Sequence, residues 1–166
     1  MNKNEIITKV GGAITTHALF DEAGNQISLY DKQAGETTYE YNGAGQMTKQ
    51  TDPVGHVYTF TYKPDGRIET KVGDEGTYTY IYEETSNNGK NKLKELQGPN
   101  GSIKYYYNNL QRLIKQEEVY PWETYASSYE YDIYGHQTKY TYPNGFAVKS
   151  IYNSKGYLTK MERADN

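Results

Sequence analysis

The chain has 166 residues, 21 acidic and 18 basic, and a net charge of −3. That length allows one domain of ordinary size, and the mixed charges lack the basic surface on which nucleic acid or anionic lipid binds. There is no cysteine, which excludes disulfides and thiolate sites, and no apolar run nears the roughly 20 residues that cross a bilayer.

Tyrosine supplies most of the large apolar surface of this chain. Leu, Ile and Phe together number 20, and Tyr alone also numbers 20. A Tyr ring buries a large apolar area while its hydroxyl stays in contact with water. The composition therefore predicts a folded protein rich in aromatic pairs.

An internal repeat runs along the chain, in which an aromatic residue returns every 20 to 25 positions. Asp or Asn follows it in five of seven copies, Gly stands four positions after it in five, and an apolar residue six positions after it in four. The repeat aromatics are Phe20, Tyr41, Tyr62, Tyr82, Tyr107, Tyr131 and Tyr152, and the repeat glycines are Gly24, Gly45, Gly66, Gly135 and Gly156.

Two spacings are longer than the others. Five extra residues between Tyr82 and Tyr107 fall in the turn at residues 86–89, and we place the excess between Tyr107 and Tyr131 in the turn at residues 120–123. Hairpin arrays tolerate insertions in their turns, so both long copies fit the same register.

Each copy contains a second turn rich in Pro and Gly, and between turns the apolar residues alternate with polar ones. Tyr58, Phe60 and Tyr62 fall on one face of a strand. No segment has helical spacing, and the nearest candidate, residues 91–97, has a register that favours a strand. The sequence predicts an all-β antiparallel β-hairpin array of about seven units of ~21 residues, which forms a curled, twisted sheet.

The unit Tyr-(Asp/Asn)-x-x-Gly-x-(Leu/Met/Ile), followed by a Pro/Gly turn and Tyr-x-Tyr, resembles the YD repeat, also called the Rhs repeat. Residues 39–47 and 129–136 carry the pattern best, and the last copy departs from it because Ser150 stands in the place of the first ring. The resemblance covers the chain from about Gly12 onward.

This resemblance implies a place among bacterial Rhs toxins, insecticidal toxin complexes and wall-associated proteins, with teneurins as relatives. In that family the repeats are not enzymes but form a β-sheet shell, which in the toxins encloses a C-terminal effector. We therefore expect a structural module of a large bacterial surface or secreted protein. We expect residues 1–166 to form one array excerpted from a longer one, with residues 1–11 as a partial repeat.

No catalytic residue, cofactor site or metal site is predicted. His17, His56 and His136 lie in different repeats, and neighbouring carboxylates such as Glu117 and Glu118 point to opposite faces of a strand, so they do not share a proton. The glycines coincide with repeat turns and form no phosphate loop.

The candidate ligand contacts are Tyr120, Trp122 and Tyr125 in the turn that carries the only Trp, together with Tyr106 on the face opposite its neighbours. Such rings stack on a sugar or a partner protein, which makes a carbohydrate-binding or adhesion module the alternative function. The competing interpretation is that the turn folds back to cover the sheet. The other expected partners are further repeats or a C-terminal domain of the parent protein. Self-association through open sheet edges or the aromatic face is also expected.

Overall fold

A computed structural model describes residues 4–164 of the chain and shows fifteen β-strands and no helix within that range. The strands are β1 (Glu5–Val10), β2 (Ala13–Phe20), β3 (Gln26–Asp31), β4 (Gly35–Tyr41), β5 (Met47–Thr51), β6 (Val57–Tyr62), β7 (Ile68–Gly73), β8 (Gly76–Tyr82), β9 (Leu93–Gly98), β10 (Gly101–Tyr107), β11 (Leu113–Val119), β12 (Thr124–Tyr131), β13 (Gln137–Thr141), β14 (Ala147–Tyr152) and β15 (Leu158–Arg163). The predicted all-β antiparallel hairpin array is confirmed.

Neighbouring strands in each part of the chain are hydrogen-bonded in chain order. By contacts the chain divides into two compact units, one ending at Thr79 and the other beginning at Tyr80. Within each unit, the strand contacts described for residues 4–164 join consecutive strands only. This nearest-neighbour arrangement is that of a repeat protein, in which each hairpin is stabilised by the hairpins beside it.

The predicted alternation of faces is visible in the exposure of the side chains. Along β6 the rings of Tyr58, Phe60 and Tyr62 are half-buried and the residues between them are exposed. The segment that had helical potential, residues 91–97, contributes β9 instead, because Leu93 begins the return strand of its hairpin. Strand periodicity thus governs the fold throughout the described residues.

The sheet has no conventional core. Among the side chains of residues 4–164, no large one is fully buried, and the hydrophobic residues that are buried, Ala18 and Ala147, are small. The rings of the aromatic face are only half-buried, because a single sheet covers the side of each ring that faces the sheet and leaves the other side exposed.

The two long repeats are accommodated in different ways. The five extra residues after Tyr82 lie in the turn between β8 and β9, as predicted. The prediction that the excess lies in the turn at residues 120–123 is wrong, because that turn has only four residues. Strands β11 and β12 have seven and eight residues, whereas the corresponding strands β5 and β6 have five and six. The extra residues therefore lengthen the strands, which pair with each other from Lys115 with Ser128 to Val119 with Thr124.

The first strand, β1, pairs with β2 and lies within the predicted partial repeat at residues 1–11, of which residues 1–3 fall outside the described residues. Over residues 4–164 the structure has no helix long and apolar enough to cross a membrane.

Candidate functional site

The turn that follows each repeat aromatic has a recurring geometry, clearest at Asn42. The Asn42 N–H donates to the Gln46 carbonyl at 2.9 Å, and the Gly45 N–H donates to the Asn42 carbonyl at 3.0 Å. The Asn42 side-chain oxygen accepts the N–H groups of Ala44 and Gln46, both at 3.0 Å. The short polar side chain thus satisfies the backbone inside the turn.

The same backbone pattern closes the other turns that follow a repeat aromatic, and where Asp or Asn stands at the first position its side chain accepts a hydrogen bond from the residue four positions later. These residues are Asp21, Asn108, Asp132 and Asn153. The Asp or Asn of the repeat is therefore a structural residue of the turn, since its oxygen is engaged within its own hairpin.

The Gly of the repeat is required by backbone conformation. The turn ends in a residue with positive φ, followed by a one-residue register shift beside the repeat aromatic, as between Glu40 and Tyr41. Only two non-Gly residues within 4–164 have positive φ, Asn91 and Gln111, both at 64°. They occupy the Gly position in the two copies that lack Gly, so a residue with positive φ ends this turn in all seven copies.

The repeat tyrosines join successive hairpins through their hydroxyl groups. Each of five donates a hydrogen bond, 2.7 to 3.1 Å long, to the carbonyl of the first residue of the preceding return strand. The pairs are Tyr41 with Gln26, Tyr62 with Met47, Tyr107 with Leu93, Tyr131 with Leu113, and Tyr152 with Gln137. Burial raises the pKa of Tyr41, Tyr107 and Tyr131.

This inter-repeat hydroxyl bond was not predicted from the sequence. The available signal was that six of the seven repeat aromatics are Tyr and only one is Phe. Because the acceptor is a backbone carbonyl, the residue six positions after the aromatic can be Gln26 or Gln137 as readily as Met47. That explains why an apolar residue is not retained there.

In the copy that begins at Tyr82, Glu83 takes the place of Asp or Asn. Its carboxylate accepts the N–H groups of Thr85 and Ser86, each at 3.0 Å, and pairs with Lys94 at 3.1 Å. These hydrogen bonds, led by the one from Ser86, lower the pKa of Glu83 from 4.5 to about 2. The longer side chain spans the wider turn that the insertion creates.

Three of the four predicted ligand contacts come together at the turn between β11 and β12. The Trp122 ring stacks on Tyr120 with 5.4 Å between centroids and 14° between planes, and Tyr125 meets Tyr120 edge-on at 6.1 Å. Trp122 remains 72% exposed. The ring therefore rests on Tyr120 and does not bury itself on the sheet, which departs from the interpretation that this turn folds back to cover it.

Tyr106, the fourth predicted contact, lies elsewhere. It is paired with Lys115 in the ladder and donates to Glu117 at 2.6 Å. The alternation along β10 places Tyr106 on the other face of the sheet from Tyr105 and Tyr107. Tyr125 is the cross-strand partner of Glu118 and lies on the same face as Tyr105 and Tyr107. The hydrogen bond to Glu117 raises the pKa of Tyr106.

Each of the three histidines pairs with a carboxylate of its own hairpin, its own turn or the next hairpin. His17 pairs with Glu5 at 3.1 Å, His56 pairs with Asp74, and His136 pairs with Asp132 at 2.8 Å. In residues 4–164 there is no cluster of His, Asp and Glu that could hold a metal ion. Their contacts are those of structural residues.

Comparison with known families connects this geometry to a named repeat. The RHS Repeat family matches residues 20–57 and again residues 41–79, two overlapping windows that begin at the repeat aromatics Phe20 and Tyr41. Residues 20–79 of the chain match RHS repeats. The predicted YD/Rhs identity is thereby confirmed, and these residues contain the inter-repeat hydroxyl bonds of Tyr41 and Tyr62 and the positive-φ turns at Gly24, Gly45 and Gly66.

The RHS-repeat chain is also similar to animal proteins. It is 27% identical over 161 residues to Teneurin-1 of Homo sapiens, covering 83% of this chain and 6% of the relative. Identity to Teneurin-1 of Gallus gallus is likewise 27%, over 150 residues, covering 78% and 5%. The chain therefore spans about a twentieth of the length of these relatives.

Solved structures share the fold. A TcdB2-TccC3-Cdc42 crystal structure superposes with a TM-score of 0.78 at 13% identity, over 90% of this chain and 9% of that one. A structure of the Photorhabdus luminescens Tc holotoxin pore gives a TM-score of 0.77 at 14% identity over the same shares. At this identity the likeness concerns the fold alone.

Proposed function

We propose that this RHS-repeat chain is a non-enzymatic wall segment in the β-sheet shell of a large surface or secreted protein. The observation that carries the proposal is the half-covered aromatic face of a sheet in which no large side chain of residues 4–164 is fully buried. Such a face is stable when other parts of the same polypeptide lie against it.

The relatives support this proposal by scale and by fold. The chain covers 5 to 9% of the proteins it resembles, and its superposition partners belong to toxin assemblies. The expected partners are thus further repeats and a C-terminal domain of a parent polypeptide, and the expected location is the bacterial surface or the medium. In this proposal the finished shell encloses a C-terminal effector.

The side chains available for chemistry support a structural role. The repeat Asp and Asn residues bind turn backbone, and the histidines pair with carboxylates of their own or the next hairpin. A general base needs a free position facing a substrate. Here those groups hold turns and neighbouring strands together.

The test uses the complete polypeptide that contains this sequence. Electron cryo-microscopy should place these repeats in an enclosing wall with the ring of Tyr129 covered from the inner side. Tyr129 packs on Tyr140 with 5.1 Å between centroids, whereas its neighbour Glu130 points to the opposite face and pairs with Lys139 at 3.1 Å.

A matched pair of variants separates wall function from simple folding. Tyr129→Asp should open the wall and make the enclosed segment sensitive to protease, while Glu130→Ala should leave protection unchanged. Location of these repeats outside any enclosing wall, or equal protection in both variants, would contradict the proposal.

A carbohydrate-binding module is the second candidate, and the exposed ring of Trp122 is the observation in its favour. Glycan-array binding that disappears in Trp122→Ala would support it. The carboxylates of Glu118 and Glu123 near this ring favour a cationic ligand over a neutral one.

A further inference from the structure

The turn at residues 120–123 and the strand ends beside it lie beyond the part of the sheet where β12 pairs with β13. We name this surface the aromatic corner; it consists of Glu118, Tyr120, Trp122, Glu123 and Tyr125. The Tyr120 N–H donates to the Glu123 carbonyl at 2.9 Å, which closes the turn and presents Trp122 at its tip.

The aromatic corner projects because its hairpin is longer than the next one. Strand β12 pairs with β13 only from Ser128 to Tyr131. Residues 124–127 therefore extend past the end of the β13 ladder, and Tyr125 lies on this extension with 38% of its surface exposed. The rings are accessible to a ligand from outside the sheet.

Two carboxylates flank the rings without a basic partner. Glu118 lies opposite Tyr125 in the ladder and accepts the Tyr120 hydroxyl at 3.4 Å. Glu123 accepts the Tyr125 hydroxyl at 2.7 Å, which raises the pKa of that tyrosine. Within residues 4–164, neither carboxylate forms a salt bridge.

The chain covers ring faces elsewhere with its own cations. The Lys71 ammonium lies 4.8 Å from the Tyr58 centroid, and the guanidinium groups of Arg112 and Arg163 lie 5.7 and 5.4 Å from the rings of Tyr131 and Phe146. No cation of the described residues covers the three rings of the aromatic corner. The aromatic corner therefore has exposed rings and carboxylates but no cation from the described residues over its rings.

We propose that the aromatic corner binds an arginine side chain of another polypeptide, which stacks on Trp122 and pairs with Glu118 and Glu123. A planar guanidinium stacks on an aromatic face and donates to carboxylates in the plane of its fork, which a lysine ammonium cannot do at once. A neutral sugar would stack on the same ring but would leave both negative charges uncompensated.

The only tryptophan of the chain is the reporter for the test. The indole N–H resonance of Trp122 is followed while N-acetyl-arginine methylamide is added to the intact chain, and then with the neutral isostere N-acetyl-citrulline methylamide. We expect a saturable shift with the arginine compound, at least about tenfold weaker binding of the citrulline compound, and weakening as salt rises from about 50 to about 500 mM.

Charge variants locate the site. Glu118→Gln combined with Glu123→Gln should weaken arginine binding about three- to tenfold, since each exposed charge contact is modest. Glu117→Gln, on the opposite face of β11, is the control and should bind as the wild type does. Retention of the indole resonance position in the ligand-free variants verifies that they are folded.

Two results would overturn the proposal. One is an equal response to the arginine and citrulline compounds, which would show that the charges are not recognised. The other is a response of the Trp122 resonance to maltohexaose or chitohexaose without one to the arginine compound, which would assign the corner to carbohydrate.

Discussion

The Tyr41 hydroxyl donates a hydrogen bond of 2.8 Å to the backbone carbonyl of Gln26, fifteen residues earlier. This contact joins one hairpin to the one before it, and four further tyrosines repeat it along the chain. It explains why six of the seven repeat aromatics are tyrosines, which carry a hydroxyl donor. A ring alone would pack between hairpins but would leave the strand-end carbonyl without this partner.

Removing that hydroxyl should destabilise the array. Tyr41→Phe keeps the ring but loses the bond to Gln26, and we expect the free energy of unfolding to fall by about 0.5–1.5 kcal/mol. Urea denaturation followed by circular dichroism measures the change. The control is Tyr39→Phe in the same strand, because the Tyr39 hydroxyl has no hydrogen-bond partner within residues 4–164. Equal losses in both variants would remove the hydroxyl bond from the explanation.

The two glycines of one turn should respond in opposite ways to alanine. Gly45 has a φ of 75°, where a Cβ is strained, so Gly45→Ala should cost about 1–2 kcal/mol of stability. Gly43 lies two residues earlier without positive φ, and a Cβ there meets nothing within 4 Å. Gly43→Ala should therefore leave stability unchanged or raise it by up to about 1 kcal/mol. Thermal unfolding measures the stability of both variants. A loss of stability in Gly43→Ala comparable to that in Gly45→Ala would contradict the requirement for positive φ at Gly45.

Acid should weaken the turn that follows Tyr82. The folded-state pKa of Glu83 is lowered from 4.5 to about 2 by hydrogen bonds from the Ser86 and Thr85 backbone. A lowered pKa means that the stabilisation is complete above pH 4.5 and is lost as pH falls toward 2. A carboxyl carbon NMR titration should give a midpoint near 2 for Glu83.

The matching stability measurement compares variants between pH 6 and pH 2.5. Wild-type stability should fall relative to Glu83→Gln over this range, because the amide does not titrate. Glu22→Gln, an exposed residue of the first repeat turn, should follow the wild type. A pH-independent difference between wild type and Glu83→Gln would count against the assigned cause.

Base should weaken the contact between His56 and Asp74. The hydrogen bond that the His56 ring donates to the Asp74 carboxylate raises the pKa of His56 above its ordinary value of 6.5. Stabilisation from a raised pKa is present below 6.5 and disappears as pH rises through the folded-state value. Proton NMR titration of the His56 ring should show a higher midpoint in the wild type than in Asp74→Asn. An unchanged midpoint in that variant would show that Asp74 is not the cause.

Much of the fold follows from short-range sequence features. The alternation of Tyr58, Phe60 and Tyr62 predicts a strand with one aromatic face, and the structure has that strand. The position of Gly45 predicts a turn, and the structure has a turn there in which Gly45 has a positive φ. These features depend on φ preferences and on the two-residue period of a strand, both of which are local.

The candidate site was only partly predictable. The sequence predicted Tyr120, Trp122 and Tyr125 as ligand contacts in one turn. It also predicted Tyr106, which lies on the other face of the sheet. It assigned the extra residues of this copy to the turn, although they lengthen β11 and β12. Whether extra residues of a repeat lengthen its turn or its strands depends on how far the strand pairing extends. The spacing of the repeat aromatics does not show this.

The amino-acid sequence by itself determined the strands, the turns and the repeat that relates them, because each is decided within about 21 residues by local conformation. Tertiary structure decided which atoms meet between hairpins: the hydroxyl of Tyr41 at the Gln26 carbonyl, and the exposed ring of Trp122 over Tyr120, beside two carboxylates that form no salt bridge within residues 4–164. The physical reason is register. A one-residue shift beside a repeat aromatic such as Tyr41 changes the cross-strand neighbours, and only the paired strands reveal where that shift falls.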